Sequence, residues 1–349
     1  DMWIKEGNAE YSAHLFLEYA YGKKKFLSKV RENLGDIIFN AHINDGAYLP
    51  LSPMPYEHTY GTHTYKKGAA MIHNLRAYLG DSLYRNVCHT IFDSLTGRSM
   101  NAYEFRDFIN RSSTVPVNDF FNDFIFNKGY PGFYVDSFYQ STILSKNIYN
   151  INIVQKLHHA DHLCTDVPLK ISLYDNQFNR IIKEVKVSGN STWVELELPI
   201  QFASVVAIIV NEDQGLNYAA LQDNGYFKSS GSIGLIGSAM TPSIASISDS
   251  AYINIVHHLV GPSEGTKHSN VLKLSSTHFW QVTGIAKGNL KMNGRVDYNG
   301  SNASSLDYDI LKSGEDSVIL VYRKNFSEEW REYKPSSKLK VSPNDLKGF

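Results

Sequence analysis

Trp3-Ile4-Lys5-Glu6-Gly7-Asn8-Ala9-Glu10-Tyr11, continuing through Ala13 and Leu17 to Tyr19, is the stretch on which the reading of this chain turns. Glu6, Glu10, Ala13 and Leu17 follow i, i+4, i+7, i+11 spacing, so on a helix they form one stripe, with two carboxylates at one end and apolar side chains at the other. If that stripe faces inward, at least one carboxylate needs a specific partner, because a lone buried Glu is costly unless it is paired or bound to a metal. A surface helix with solvated acids satisfies the same spacing, and the pattern alone leaves both readings open.

Outward from this stretch, residues 1 to about 133 read as helices. Phe26, Val30 and Leu34 recur every four residues, as do Leu83, Val87, Ile91 and Leu95, and Gly35, Gly80 and Gly97 stand where such helices would stop. Thr64-Tyr65-Lys66-Lys67-Gly68-Ala69-Ala70 opens another helix with Ala69, Ile72, Leu75 and Leu79 on its apolar face, and Gly68 leaves room there for a neighbouring backbone. Phe105, Phe108 and Ile109, then Phe120, Phe121, Phe124 and Ile125, mark two further amphipathic helices, read as core. Phe126-Asn127-Lys128-Gly129-Tyr130-Pro131-Gly132 reads as a hard stop.

Beyond that stop the apolar period changes from 3.6 to 2. Runs at 148–157, 167–174, 180–187, 192–198 and 205–210, rich in Val, Ile and Tyr and separated by Asn, Asp and Gly, predict a β-sandwich over 134–223. The small residues of 224–240 read as a linker or loop, and strand-like runs at 253–260, 279–285, 290–298 and 318–322 predict a second β domain over 241–349. The expected fold class is therefore multidomain α plus β, helical over 1–133 and then one or two antiparallel β-sandwich-like domains.

The formal net charge is -1, and the longest cationic run is Lys23-Lys24-Lys25, a balance that argues against a nucleic-acid-binding surface. No apolar run approaches the roughly 18 residues needed to span a bilayer. The 22 Tyr and 18 Phe suit β-rich, well-filled cores. Cys88 and Cys164 fall in different expected domains and are read as buried free thiols.

The pattern W-x-x-E-G-x-A-x-Y over Trp3–Tyr11 resembles the segment that follows the zinc-binding HExxH helix in the M1 family of gluzincin aminopeptidases. That resemblance implies that Glu6 is the third zinc ligand and that residues 1–133 form the helical C-terminal half of a thermolysin-like catalytic domain. Tyr65-Lys66-Lys67-Gly68 is similar to the family's second signature, which implies that the Tyr65 phenol donates a hydrogen bond to the oxyanion of the tetrahedral intermediate; Tyr60 matches a family position that lines the active site. The turn at 129–132 resembles the G-x-P turn where the catalytic domain hands over to a β domain, and the last hundred or so residues are similar to the β tails of secreted bacterial homologues. In the family the ligand Glu lies about two dozen residues past HExxH, and the chain, beginning with Asp1, is expected to lack the two His ligands, the general-base Glu and the G-A-M-E-N substrate loop.

The expectation for function is the C-terminal portion of a zinc-dependent aminopeptidase acting on peptide substrates. This chain by itself is expected to be inactive and to bind zinc weakly, with the missing N-terminal region of the same protein as its partner and a secreted, periplasmic or cell-surface location in a bacterium. A different class, a non-catalytic binding or adhesion protein or a pseudoenzyme scaffold, would share the helical and β units without the chemistry. His158-His159-Ala160-Asp161-His162 has an H-x-x-D-H pattern but follows a strand-period run, so it is read as an inter-strand loop and not a metal motif. His257 and His258 alternate across a strand and face opposite ways.

Overall fold

The computed structural model of the protein describes residues 1–95, 97–143, 146–200, 202, 204–342 and 345–349. Helices α1 (Met2–Tyr21) and α2 (Lys23–Asp36) lead through a π-helical turn (Ile37–Ala41) into α3 (His42–Asn44); a second π turn (His63–Lys67) runs into α4 (Gly68–Leu95). Helix α5 (Ala102–Ser112) follows, and α6 (Asn118–Phe120) widens into a third π turn (Phe121–Ile125).

Along α1 the buried residues are Trp3, Gly7, Tyr11 and His14. The expected inward stripe is thus rotated off the core: Ala13 is exposed, and Glu6, Glu10 and Leu17 are half-buried on its flank. The helical period is as expected and the phase is not, because Trp3 and Tyr11 remove far more apolar area from water than Ala13 and Leu17. Trp3 packs edge-on against Phe105, and Tyr11 against Phe26 and Tyr84.

Gly35 does not end α2. The apolar face continues through Leu34 to Ile37 and Ile38, all buried, and this burial outweighs the roughly 1 kcal/mol that a mid-helix Gly costs. Gly80 does break the 68–95 segment, with φ 74° and ψ 158°. The side chain of Leu95 lies outside the described residues. Helix α5 is opened by a reciprocal capping box between Asn101 and Glu104, which satisfies two otherwise orphaned N–H groups.

Strand β1 (Tyr130–Ile143) begins inside the segment read as a stop and pairs antiparallel with β2 (Lys146–His158), Tyr130 opposite His158. Pro131 is tolerated because β1 is the edge of the sheet ordered β1-β2-β5, where β5 is Ser191–Leu198. A second antiparallel sheet orders β4 (Arg180–Val187), β3 (Val167–Tyr174) and β6 (Ala207–Val210). Apolar residues of both sheets join the helices in one continuous core that runs from Trp3 through Tyr149, Ile153, Leu169 and Ile171 to Val260.

Two more three-stranded antiparallel sheets follow. β7 (Ala220–Phe227) and β11 (Phe279–Lys287) flank β10 (Ser250–His258), and β8 (Gly231–Ser232) and β12 (Leu290–Val296) flank β9 (Met240–Ile247). They share a smaller core of Ile233, Leu235, Ile244, Ala251, Ile253 and Ile255. Strand β7 crosses residue 224, where the small-residue stretch was expected to begin, and of the run 318–322 Val321 and Tyr322 are in a strand.

The helices are tied to the β region by buried amides. The Asn74 side chain donates to the Asn217 carbonyl at 2.9 Å and accepts from the Asn217 N–H at 2.6 Å, while His73 Nε2 meets the Gln214 carbonyl at 2.9 Å. Cys88 and Cys164 are both free thiols.

Candidate functional site

The two sequence signatures meet at their glycines. A Cβ built on Gly7 would lie 2.7 Å from the carbonyl carbon of Gly68 and 2.8 Å from its Cα, so α1 and the start of α4 cross with backbone against backbone. On α1 the residue before this contact is Glu6, and on the other element Tyr65 lies in the π turn that ends where Gly68 begins.

The Glu6 side chain is 14% exposed, and its carboxylate lies 3.1 Å from the Lys5 ammonium. That ammonium is held above its usual range first by its hydrogen bond to Glu6, and it also feels the phenols of Tyr60 and Tyr65. Of the three expected site residues, Glu6 is the one in direct contact with Lys5. Tyr65 is half-buried; Tyr60, at the end of the preceding loop, is 64% exposed. Single π turns recur at functional sites because they re-aim one side chain without ending the helix. Here the turn's neighbours are all anchored: Asn33 donates to the Lys66 carbonyl at 2.9 Å, and Lys66 Nζ reaches Glu10 at 3.3 Å.

Several residues of this region were not legible beforehand. Lys67 is buried; its ammonium donates to the carbonyls of Leu49 and Asn127, both at 3.1 Å, and burial lowers its pKa to about 7. Asp45 and His63 form a buried pair at 2.7 Å. Tyr11 OH meets His73 Nδ1 at 3.1 Å, and burial pulls His73 down to about 4. The Tyr-Lys-Lys-Gly spelling was the one advance signal for Lys67; a Lys so close to an apolar helix face is either exposed or specifically partnered.

Among the described residues no group of three or more His, Cys, Asp or Glu side chains is placed to hold a metal. Glu6 fits as one oxygen ligand, and among the described residues no group of His, Cys, Asp or Glu completes a set around it. The H-x-x-D-H residues diverge. His158 Nδ1 is 2.7 Å from the Leu259 carbonyl, His159 stacks on Tyr48 at 4.0 Å, Asp161 pairs with Lys128 at 2.9 Å and His162 with Asp123 at 3.3 Å. They form the joint between the helices and the β region. His257 stacks on Trp280 and bonds His278, while His258 faces Phe279 and Gln281, as alternation requires.

Residues 1–124 match the peptidase family M1 domain. A protein described as probable aminopeptidase 2 from Sulfurisphaera tokodaii is 23% identical over 139 residues, covering 39% of this chain and 18% of that protein. The crystal structure of Legionella pneumophila aminopeptidase A in complex with aspartic acid is similar with a TM-score of 0.46 and 14% identity, over 62% of this chain and 24% of that one. The chain thus spans about a fifth to a quarter of the length of these relatives. No helix among the described residues is long and apolar enough to cross a membrane.

Proposed function

We propose that this chain is the C-terminal portion of a zinc-dependent aminopeptidase that hydrolyses N-terminal peptide bonds. Residues 1–133 would then be the helical half of a thermolysin-like catalytic domain, followed by two antiparallel sandwich-like units. The observation that supports the reading is the Gly7–Gly68 crossing, which brings the two family signatures into backbone contact. Zinc, when bound, supplies a Lewis acid for the scissile carbonyl and a water of lowered pKa. Glu6 would contribute one carboxylate oxygen to hold it. A catalytic zinc site needs about three protein ligands, so the others, with the general base, come from outside residues 1–349, and this chain alone has no turnover. Tyr65 donates its phenolic O–H to the oxyanion that forms when water adds to the carbonyl. That charge exists only in the transition state, so a donor already in place stabilises it without a matching gain in substrate binding.

The test is substitution in the enzyme that contains this chain. Tyr65→Phe is expected to lower kcat by roughly 10²–10³-fold with KM and zinc content unchanged. Glu6→Ala should lose zinc and activity together, and added zinc should restore part of both. A raised KM with intact kcat in Tyr65→Phe would make Tyr65 a packing or substrate-positioning residue.

A further inference from the structure

The residues around Tyr65 are pinned by a carboxylate that neither signature contains. Asp45 follows α3 and is 4% exposed. Its carboxylate accepts from the Thr62 N–H at 2.9 Å, the His63 N–H at 2.8 Å and His63 Nδ1 at 2.7 Å. On the far side of the same ring, His63 Nε2 accepts from the Leu49 N–H at 3.2 Å. One neutral tautomer, with the proton on Nδ1, satisfies both ring contacts. Burial holds His63 below its usual pKa; Asp45, against its own burial, is held below its usual range by N–H donors from His63 and Thr62. Gly61 makes the approach feasible, since a Cβ there would lie 2.7 Å from the Asp45 carboxylate.

We propose that Asp45, acting through His63, is the positioning residue that fixes the Tyr65 phenol for oxyanion donation; the inference rests on the catalytic reading of Tyr65. Residues 46–61 connect α3 to the 63–67 turn; they are tied down midway, where the Leu51 and Ser52 N–H groups donate to the Ile125 carbonyl at 2.9 and 3.2 Å, and Asp45 holds the end that leads into the turn. Asp45 closes this loop at its base and caps the turn's first N–H groups, two residues before Tyr65. The other end of the turn is held by Lys67 and by the Gly7 contact. A donor must stand within about 0.5 Å of its productive position, and a shift of about 1 Å costs about 10²-fold in rate.

The experiment is a double-mutant cycle in the enzyme that contains this chain, with Asp45→Asn, Gly61→Ala, Tyr65→Phe and each pair with Tyr65→Phe. Gly61→Ala crowds the carboxylate without removing it, so it carries the test if Asp45→Asn fails to fold. Both variants are expected to lower kcat by about 10–10²-fold at unchanged KM, and to lower it by no more than about 2-fold once Tyr65 is Phe. In the isolated chain, ¹⁵N spectra should show His63 protonated on Nδ1 alone, and Asp45→Asn should abolish that preference. Unchanged kcat in Tyr65→Phe overturns the catalytic reading and this inference with it. A lowered kcat in Tyr65→Phe beside unchanged Asp45→Asn and Gly61→Ala, or losses that multiply in the double variants, overturns the inference alone.

Discussion

Gly7→Ala isolates the contact on which the site depends. The added methyl would meet Gly68 backbone at 2.7, 2.8 and 3.1 Å. Non-bonded carbons rest at about 3.5–4.0 Å, so α1 must withdraw by about 1 Å, and backbone cannot rotate out of the way as a side chain can. Overpacking of this kind costs about 1–3 kcal/mol, offset by about 1 kcal/mol from the better helix propensity of Ala. The net loss is about 0–2 kcal/mol, and its middle value of about 1 kcal/mol, at a urea slope of about 1–3 kcal/mol/M, moves the midpoint down by about 0.3–1 M. Two controls calibrate it. At Gly68 the nearest atom is 3.0 Å from a built Cβ, so Gly68→Ala should cost less; at Gly35, inside α2, nothing lies within 4 Å, so Gly35→Ala should stabilise. Urea unfolding of the 349-residue chain, followed by far-ultraviolet circular dichroism, reports the transition of the helical residues. A Gly7→Ala midpoint above that of the unsubstituted chain would refute the crossing.

Two further outcomes follow from buried ionisable groups. Burial lowers Lys67 from 10.5 to about 7; between those values the unfolded chain holds a proton that the folded chain lacks. Its contribution makes stability rise with pH across that window, by up to about 1.4 kcal/mol per pH unit, and be lost as pH falls through about 7. Lys67→Met should remove the rise, and parallel urea midpoints for the two proteins between pH about 7.5 and 9.5 would show that Lys67 stays charged when folded. Burial pulls His73 and His258 to about 4 and His158 to about 3 from 6.5. These rings stay neutral in the fold while the unfolded chain protonates, so stability should fall as pH drops from about 6.5 toward 4. His158→Gln should take one proton from that linkage; an unchanged pH slope in the variant would place the His158 charge change outside this window.

Local pattern was enough to read α1, the core-facing aromatics of α5 and the turn after it, and strands β3 and β4 to the residue, because each buries its own periodic apolar face whatever its neighbours do. The expectation that Glu6 and Tyr65 act together came from two short motifs and not from spacing. Strand β7 was not legible: residues 224–240 read as a linker or loop, and what extends the strand to Phe227 is a complete ladder with β10, in which Asn224 stands opposite Asn254. Strand β1 was hidden by Gly129 and Pro131 for a like reason, since an edge position forgives a missing N–H that a central one does not.

What the amino-acid sequence by itself determined is the period of each element, the change from helices to strands near residue 130 and the identity of the two signatures. Only the tertiary structure decided the phase of α1, the fate of each buried charge and the joint formed by residues 158–162. Phase depends on which of several candidate faces buries the most area against its neighbours. A buried charge depends on carbonyls and amides contributed from far along the chain, as Lys67 does on Leu49 and Asn127 and His63 on Asp45. Those partners are backbone groups or lone side chains with no spacing of their own, so no local pattern announces them until the chain has folded.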